Sequence, residues 1–150
     1  MKKFARIVGT GSYLPPRIIT NSELEKSLDT TDEWITSRTG IKERRIVEDQ
    51  NTCDLALEAS INALEMAELK ASEIDLIILA TTTPDKIFPA TATTLQDRIG
   101  ASCPAFDIQA VCAGFVFALT TAQQYIENGV AKNILVVGSE TMSKIVDWND

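Results

Sequence analysis

The stretch Ile74–Thr82, IDLIILATT, decides the fold. A continuous apolar run rich in β-branched residues is typical of a strand that is covered on both faces. Asn133–Gly138, NILVVG, has the same character and predicts another fully buried strand. Shorter strands are predicted at Phe4–Gly9 and Pro104–Gln109, and the charged stretch Ile41–Val47 predicts an exposed strand.

Segments with helical periodicity separate these strands. One helix carries mostly small residues at i+4 spacing on one face: Leu55, Ala59, Ala63 and Ala67. Strands and helices that alternate with short connections predict an α/β fold, with a mixed, mostly parallel sheet and helices on both faces. The predicted helices are Asn21–Leu28, capped by Asn21; Asp29 to Gly40; Asn51 or Thr52 to about Glu68; Pro89 to Ile99, closed by Gly100; and Cys112 to Glu127, closed by Asn128-Gly129.

A short glycine motif, Gly9-Thr10-Gly11, follows the first predicted strand, as in dinucleotide-binding folds. That motif needs a third glycine where Leu14 stands, and a helix where Pro15-Pro16 follow. The spacing therefore favours a plain turn.

The composition limits the classes of function. The chain has 150 residues, which suggests one domain, and its 21 acidic against 14 basic residues give a net charge of −7, which disfavours nucleic-acid binding. No apolar window approaches the length of a membrane helix. The count of histidines is 0, so a Ser-His or Cys-His pair and a His-ligated metal site cannot form from this chain alone. No metal site is predicted.

The three cysteines, Cys53, Cys103 and Cys112, are odd in number and form no CxxC motif. No signal peptide precedes them, because the apolar run after the basic N-terminus is too short. This usage predicts a reducing, cytoplasmic environment, with Cys53 and Cys103 as structural residues.

Cys112 stands at the junction of a predicted strand and a predicted helix. A thiol at a helix start faces free backbone N–H groups and the positive end of the helix dipole, and both favour the nucleophilic thiolate. The same N–H groups would stabilise an oxyanion on an attacked thioester. The alternative is a small buried hydrophobic residue, as free cysteines commonly are.

Trp34 and Arg38 are one helical turn apart on the same face. Arginine pairs with phosphate and tryptophan stacks on a base, so together they suit a nucleotide. The alternative is a surface cation–π pair. Phe88-Pro89, after the buried strand, is by pattern alone a loop anchor.

Taken together, these motifs resemble the β-ketoacyl-[acyl-carrier-protein] synthase III family. The resemblance is collinear and covers essentially the whole chain. It rests on Gly9–Pro15, Asp29–Ile41 followed by Arg44, Ala80-Thr81-Thr82, Phe88-Pro89, Asp107–Phe115 and Val137–Glu140.

The resemblance implies a thiolase-like fold and the initiating step of type II fatty-acid synthesis. A short acyl group would pass from acyl-CoA to a cysteine. Malonyl-acyl carrier protein would then lose CO2 and attack that thioester in a decarboxylative Claisen condensation. The CoA thioester is a substrate here, and no cofactor is implied. Members of the family are expected to be homodimers.

Site residues follow from the resemblance by position. Cys112 matches the acyl-accepting nucleophile, and its own N–H matches one donor of the oxyanion hole. Thr30, Trp34 and Arg38 match residues around the CoA adenine and phosphates. Phe88 matches an aromatic residue that closes the acyl pocket, which in this family reaches across the dimer interface.

Two departures from the family pattern stand out. Val111 occupies a position where alanine is common, which affects the expected primer preference. The family's second half, with its histidine, asparagine and an oxyanion-hole glycine, has no counterpart in residues 1–150, and Asp147–Asp150 resembles the start of the stretch leading into it. The chain is therefore expected to be an N-terminal half-fold, and the isolated half to be oligomeric or poorly soluble.

Two other functions stay open. One is another acyl-CoA condensing enzyme of the same superfamily, such as a hydroxymethylglutaryl-CoA synthase, which the Trp34 and Arg38 pattern disfavours. The other is a non-catalytic CoA-binding module whose natural chain ends at residue 150.

Overall fold

The computed structural model describes residues 3–149, which divide into two compact units. Unit one joins the described residues up to Tyr13 to Asn51–Glu140, and unit two joins Leu14–Gln50 to the described residues from Thr141 onward. Asp150, where the resemblance places the boundary between two halves, lies outside the described residues. No helix in the described part is long and apolar enough to cross a membrane.

The regular elements alternate as the sequence predicts. In chain order the strands and helices are β1 (Arg17–Thr20), α1 (Asn21–Leu24), α2 (Asp32–Thr39), β2 (Glu43–Ile46), α3 (Thr52–Ala67), β3 (Leu76–Ala80), α4 (Thr91–Ile99), β4 (Ala105–Ile108), α5 (Gly114–Glu127) and β5 (Ile134–Gly138). The described residues also form short 3-10 turns at Ala71–Glu73, Val111–Ala113 and Met142–Lys144.

Unit one is built on a three-stranded parallel sheet with the order β4-β3-β5. The central strand is β3, and all five of its residues are buried. This confirms the prediction of a strand covered on both faces. The sheet is parallel throughout rather than mixed, since the antiparallel pair belongs to unit two.

Helices cover both faces of this sheet. Side chains alternate along β3, so Ile77 and Leu79 join a core with α3 and α4, whereas Ile78 packs with Ala118 of α5 on the opposite face. The predicted stops are confirmed where glycine adopts a left-handed conformation, at Gly100 with φ 75° and at Gly129 with φ 74°.

Three predictions in unit one are wrong. The segment Phe4–Gly9 does not form a strand among the described residues. Its one glycine, Gly9, and Gly11 after it press against the backbone of α3 at Ala63 and Ala59, where a Cβ atom on either glycine would clash. The glycines therefore serve close packing on the small-residue face of α3 rather than a plain turn. β5 is only half-buried, because it is an edge strand of the described sheet.

Unit two contains the antiparallel pair β1–β2, in which Arg17 lies opposite Ile46. β2 confirms the predicted strand, whereas β1, only four residues long, was not predicted. The stop of α2 at Gly40, with φ 73°, is confirmed. The cap of α1 is Thr20 and not Asn21, since Thr20 forms a reciprocal capping box with Glu23, and α1 ends at Leu24 instead of Leu28.

Candidate active site

Cys112 lies on the turn that joins β4 to α5, at the carboxyl end of the parallel sheet. The turn is a single 3-10 turn, closed by the Ala113 N–H, which donates to the Ala110 carbonyl oxygen at 3.0 Å. The Cys112 thiol is exposed. The alternative of a buried hydrophobic cysteine is therefore wrong for this residue. The carboxyl ends of parallel strands are where ligands bind in open α/β sheets.

The residue before the cysteine has an unusual backbone. Val111 adopts a left-handed conformation with φ 47°, and its side chain is 63% exposed. A β-branched residue in this region is strained, because its side chain crowds its own backbone. The strain sits on the residue that sets the direction of the following thiol, which is where functional sites commonly hold strained backbone.

The first residue of α5 permits a close approach to the sheet. Gly114 is buried, and a Cβ atom added there would lie 3.2 Å from the Cβ of Ala80 at the end of β3. The absence of a side chain thus lets the start of α5 pack directly against the carboxyl end of the central strand. This packing fixes the place of the turn that carries Cys112.

The other two cysteines are core residues, as predicted. Cys53 is 1% and Cys103 is 8% exposed. Burial raises the pKa of both thiols, because a thiolate loses its hydration in an apolar core. For Cys53, a hydrogen bond to Arg98 opposes this rise only in part. Neither thiol is suited to act as a nucleophile at neutral pH.

Phe88 lies at the tip of the loop Thr81–Ala90, between β3 and α4, and its side chain is 81% exposed. Its neighbour Ile87 is 96% exposed, and the Phe88–Pro89 peptide bond is cis. An exposed aromatic ring does not pack as an anchor within this unit. The loop presents two adjacent apolar side chains to solvent.

Sequence patterns missed three carboxylates around this loop. Asp107 of β4 accepts hydrogen bonds from the first two N–H groups of α4, Thr91 and Ala92, at 2.8 and 2.7 Å. Asp85 and Glu140 make similar contacts with other backbone N–H groups. A carboxylate at an orphan helix N–H is a capping signal, but the partners lie too far apart in sequence for local patterns to pair them.

The proposed CoA residues Thr30, Trp34 and Arg38 all lie in unit two. Thr30 and Trp34 line a cavity of about 850 Å³. The hydroxyl oxygen of Thr30 is buried and has no hydrogen-bond partner among the described residues. Arg38 does not line this cavity, but its guanidinium lies over the Trp34 ring, 5.9 Å from the ring centre.

A buried amide organises the same unit. Asn21 is 1% exposed, and its side-chain N–H groups donate to Asp32 and to the Ile41 carbonyl, both at 2.8 Å. Its side-chain oxygen accepts a hydrogen bond from Arg44 at 2.7 Å. Arg44 also lines the cavity, so Asn21 ties α2 and β2 to one wall of it. In the sequence alone, Asn21 stands out only as a helix cap.

The predicted site residues thus fall into two groups. Cys112 and Phe88 belong to unit one, and Thr30, Trp34 and Arg38 belong to unit two. Within the described residues, no group of three or more histidine, cysteine, aspartate or glutamate side chains is placed to hold a metal ion.

Comparison with known proteins gives consistent similarities. A family model described as 3-Oxoacyl-[acyl-carrier-protein (ACP)] synthase III matches residues 106–150. The β-ketoacyl-[acyl-carrier-protein] synthase III of Vesicomyosocius okutanii subsp. Calyptogena okutanii is 67% identical over all of this chain and 48% of its own length. That of Neisseria meningitidis serogroup A is 59% identical over 99% of this chain and 47% of its own length.

A solved structure agrees with this similarity. The 3-oxoacyl-[acyl-carrier-protein] synthase III of Aquifex aeolicus superposes with a TM-score of 0.94 at 50% identity, covering all of this chain and 48% of that one. This agreement confirms the predicted thiolase-like α/β fold. The chain spans about half the length of the curated relatives it matches.

Proposed function

This chain belongs to the β-ketoacyl-[acyl-carrier-protein] synthase III family, and from that membership we propose that Cys112 accepts a short acyl group from acyl-CoA. The observation that carries the proposal is the exposed Cys112 thiol on the strained turn before α5. The other two thiols are buried, so Cys112 is the accessible nucleophile of the three.

The acyl transfer is a thioester exchange. The Cys112 thiolate attacks the carbonyl carbon of the acyl-CoA, and the carbonyl oxygen takes up the negative charge. The backbone N–H of Cys112 stabilises that oxyanion as one donor of an oxyanion hole. Collapse of the intermediate expels CoA as its thiolate, which takes a proton from solvent, and leaves the acyl group on the Cys112 sulfur. No resident cofactor takes part.

CoA binding is assigned to Thr30, Trp34 and Arg38. The Trp34 ring is 57% exposed, which leaves room for an adenine to stack. Arg38 already lies against that ring and supplies a positive charge for phosphate. The partnerless hydroxyl of Thr30 supplies a hydrogen bond to a polar group of the ligand in the same cavity.

Condensation requires more than this chain carries. The acyl-enzyme is proposed to react with malonyl-acyl carrier protein, which loses CO2, and the resulting carbanion bonds to the acyl carbonyl carbon as the thioester bond breaks and the Cys112 thiolate leaves. The family assigns that step to a histidine and an asparagine, and this chain has 0 histidines. We therefore assign the decarboxylation site to a second half of the fold and the acyl-accepting site to this one.

The three cysteines are free thiols, which favours a cytoplasmic location for the protein.

Phe88 is proposed to close the acyl pocket, and the functional form to be a homodimer. The support is the exposure of Phe88 at a loop tip where it packs on little of its own unit. An apolar ring in that position is suited to insertion into a neighbouring subunit.

A two-stage assay tests this division of labour. The chain alone, mixed with acetyl-CoA, should release CoA in an amount no greater than its content of Cys112, and it should form no β-ketoacyl product with malonyl-acyl carrier protein. Coexpression with the part of a curated relative that this chain does not cover should restore condensation. CoA binding without CoA release would favour a binding module, and condensation by the chain alone would contradict the proposed division.

A further inference from the structure

The loop Thr81–Ala90, which carries Phe88, begins at a carboxylate cradle. The side chain of Glu140, just after β5, accepts the backbone N–H groups of Thr82 and Thr83 at 2.7 and 3.1 Å. It also accepts the hydroxyls of Thr83 and Thr81 at 2.6 and 3.3 Å. Four donors from three consecutive residues thus converge on one carboxylate.

Two further carboxylates hold the rest of the loop. Asp85, within the loop, accepts the N–H groups of Thr52 and Cys53 at the start of α3, at 2.8 and 3.1 Å. At the far end, Asp107 of β4 accepts the first two N–H groups of α4. The loop is therefore bonded to Glu140, after β5, at its start and to α3 in its middle, and β4 holds the first turn of the helix that follows the loop.

The chemistry of the cradle is specific to a carboxylate. An ionised carboxylate only accepts hydrogen bonds, and its bonds to N–H groups are stronger than neutral ones. Glutamine in the same place would present an NH2 group to at least one of the backbone N–H donors. An isosteric change from Glu to Gln therefore breaks the cradle while keeping the size of the side chain.

The firmly bonded base contrasts with the tip of the loop, where Ile87 and Phe88 are 96% and 81% exposed. An apolar side chain on a loop selects ligands sharply only if the loop is held in one conformation beforehand. Four hydrogen bonds to Glu140, just after β5, hold the first three residues of this loop.

We propose that Glu140 is a positioning residue that fixes the direction in which the loop presents Phe88, and so determines which acyl chains are transferred to Cys112. The proposal rests on the function proposed above, in which Phe88 closes the acyl pocket. Glu140 touches neither CoA nor the acyl group in this account; it acts through the loop.

The first arm of the test measures the loop itself. Backbone amide exchange at Thr82 and Thr83, followed by NMR, is expected to accelerate at least about tenfold in Glu140→Gln, the loss expected of a charge-assisted hydrogen bond. Glu127→Gln is the matched control, since Glu127 loses the same charge at the end of α5, where its partner is Gln123. Unchanged amide exchange in Glu140→Gln would show that Glu140 does not hold the start of the loop.

The second arm measures acyl selection. The chain-length preference is the rate of Cys112 acylation by acetyl-CoA divided by the rate with octanoyl-CoA. Glu140→Gln is expected to lower this ratio about fivefold or more. Phe88→Ala should lower the preference similarly, and the double variant should lower it little further, because both changes remove the Phe88 wall of the acyl pocket. A general loss of stability would instead slow both acyl groups alike.

The outcomes separate the two proposals. Faster amide exchange with an unchanged chain-length preference would overturn the role of Glu140 and leave the acylation of Cys112 standing. Additive effects of Glu140→Gln and Phe88→Ala would overturn action through the loop. A wild-type chain that is not acylated at Cys112 would overturn the proposed function and this inference together.

Discussion

The guanidinium carbon of Arg38 lies 5.9 Å from the centre of the Trp34 ring, one helical turn away on α2. Such a contact contributes about 0.5–1 kcal/mol at an exposed site. The sequence suggested either a nucleotide-binding pair or a surface cation–π pair, and the structure shows that the contact itself forms. It holds the positive charge beside the exposed ring face, where a phosphate of a stacked nucleotide would need it.

Removal of the Arg38 charge should weaken CoA binding. Arg38→Ala is expected to raise the Kd for CoA by about 5- to 30-fold at low salt, because it removes a phosphate contact worth about 1–2 kcal/mol. The effect should shrink at high salt, where exposed charges are screened. Calorimetric titration at two salt concentrations measures both. Arg17→Ala is the matched control, since Arg17 pairs with Glu48 outside the cavity, and equal losses in the two variants would contradict the assignment.

The hydroxyl of Thr30 should affect binding and stability in opposite directions. Thr30→Val removes a buried oxygen that lacks a partner, so the free energy of unfolding should stay equal or rise by about 1 kcal/mol. The Kd for CoA should rise about fivefold, as expected for one lost hydrogen bond. Chemical denaturation and calorimetry on one sample give both values. In Thr39→Val, which loses a bond to the Ile35 carbonyl instead, only stability should fall. Unchanged CoA affinity in Thr30→Val would remove Thr30 from the site.

The strain at Val111 should appear as instability of the wild-type chain. Val111→Gly is expected to raise the free energy of unfolding by up to about 1 kcal/mol, because glycine tolerates the left-handed backbone that valine adopts at a cost of about 1–2 kcal/mol. Urea denaturation measures the change.

Val130→Gly is the control for Val111→Gly, since Val130 is also exposed but has no positive φ. It should lose stability by about 0.5–1 kcal/mol through the greater freedom of the unfolded chain. If both glycine variants lose stability equally, Val111 is not strained.

The three thiols should react very differently with an alkylating agent. Iodoacetamide at neutral pH should modify Cys112 rapidly, since that thiol is exposed. Cys53 and Cys103 should react only after unfolding, because they are buried and their pKa values are raised. Peptide mass mapping after short exposure locates the label, and labelling in urea shows that all three can react. Labelling of Cys53 in the native chain as rapid as that of Cys112 would show that the core opens readily.

Local patterns were sufficient for elements whose stabilisation is local or purely apolar. The run Leu76–Ala80 was predictable as a covered strand because no polar side chain interrupts it. Gly40 and Gly100 were predictable as helix ends because glycine tolerates a positive φ, and both residues adopt one. The same reasoning failed at Phe4–Gly9, where β-branched residues suggested a strand. Close packing of two glycines on α3 decides the conformation there, and that contact joins residues far apart in sequence.

The candidate site was likewise predictable only where local sequence patterns define its residues. Cys112 and the Trp34–Arg38 spacing follow from single segments, so both were visible in the sequence. The Glu140 cradle joins residues 57 to 59 positions apart, and the Asn21 hydrogen bond to Arg44 joins residues 23 apart. An acidic residue after a strand or an asparagine at a helix start has several ordinary roles, so only the folded chain identifies the partner. The φ of Val111 was likewise invisible, since valine normally avoids that region.

The acylation of Cys112 is the property on which the proposed function depends most directly. The chain is incubated with acetyl-CoA, digested, and mapped by mass spectrometry, with Cys112→Ala treated in parallel. One acetyl group, removable by hydroxylamine as a thioester is, is expected on the peptide that contains Cys112, and none in the variant. Acetylation that persists unchanged in Cys112→Ala, or a wild-type chain that binds CoA but carries no thioester, would rule out Cys112 as the acyl-accepting nucleophile.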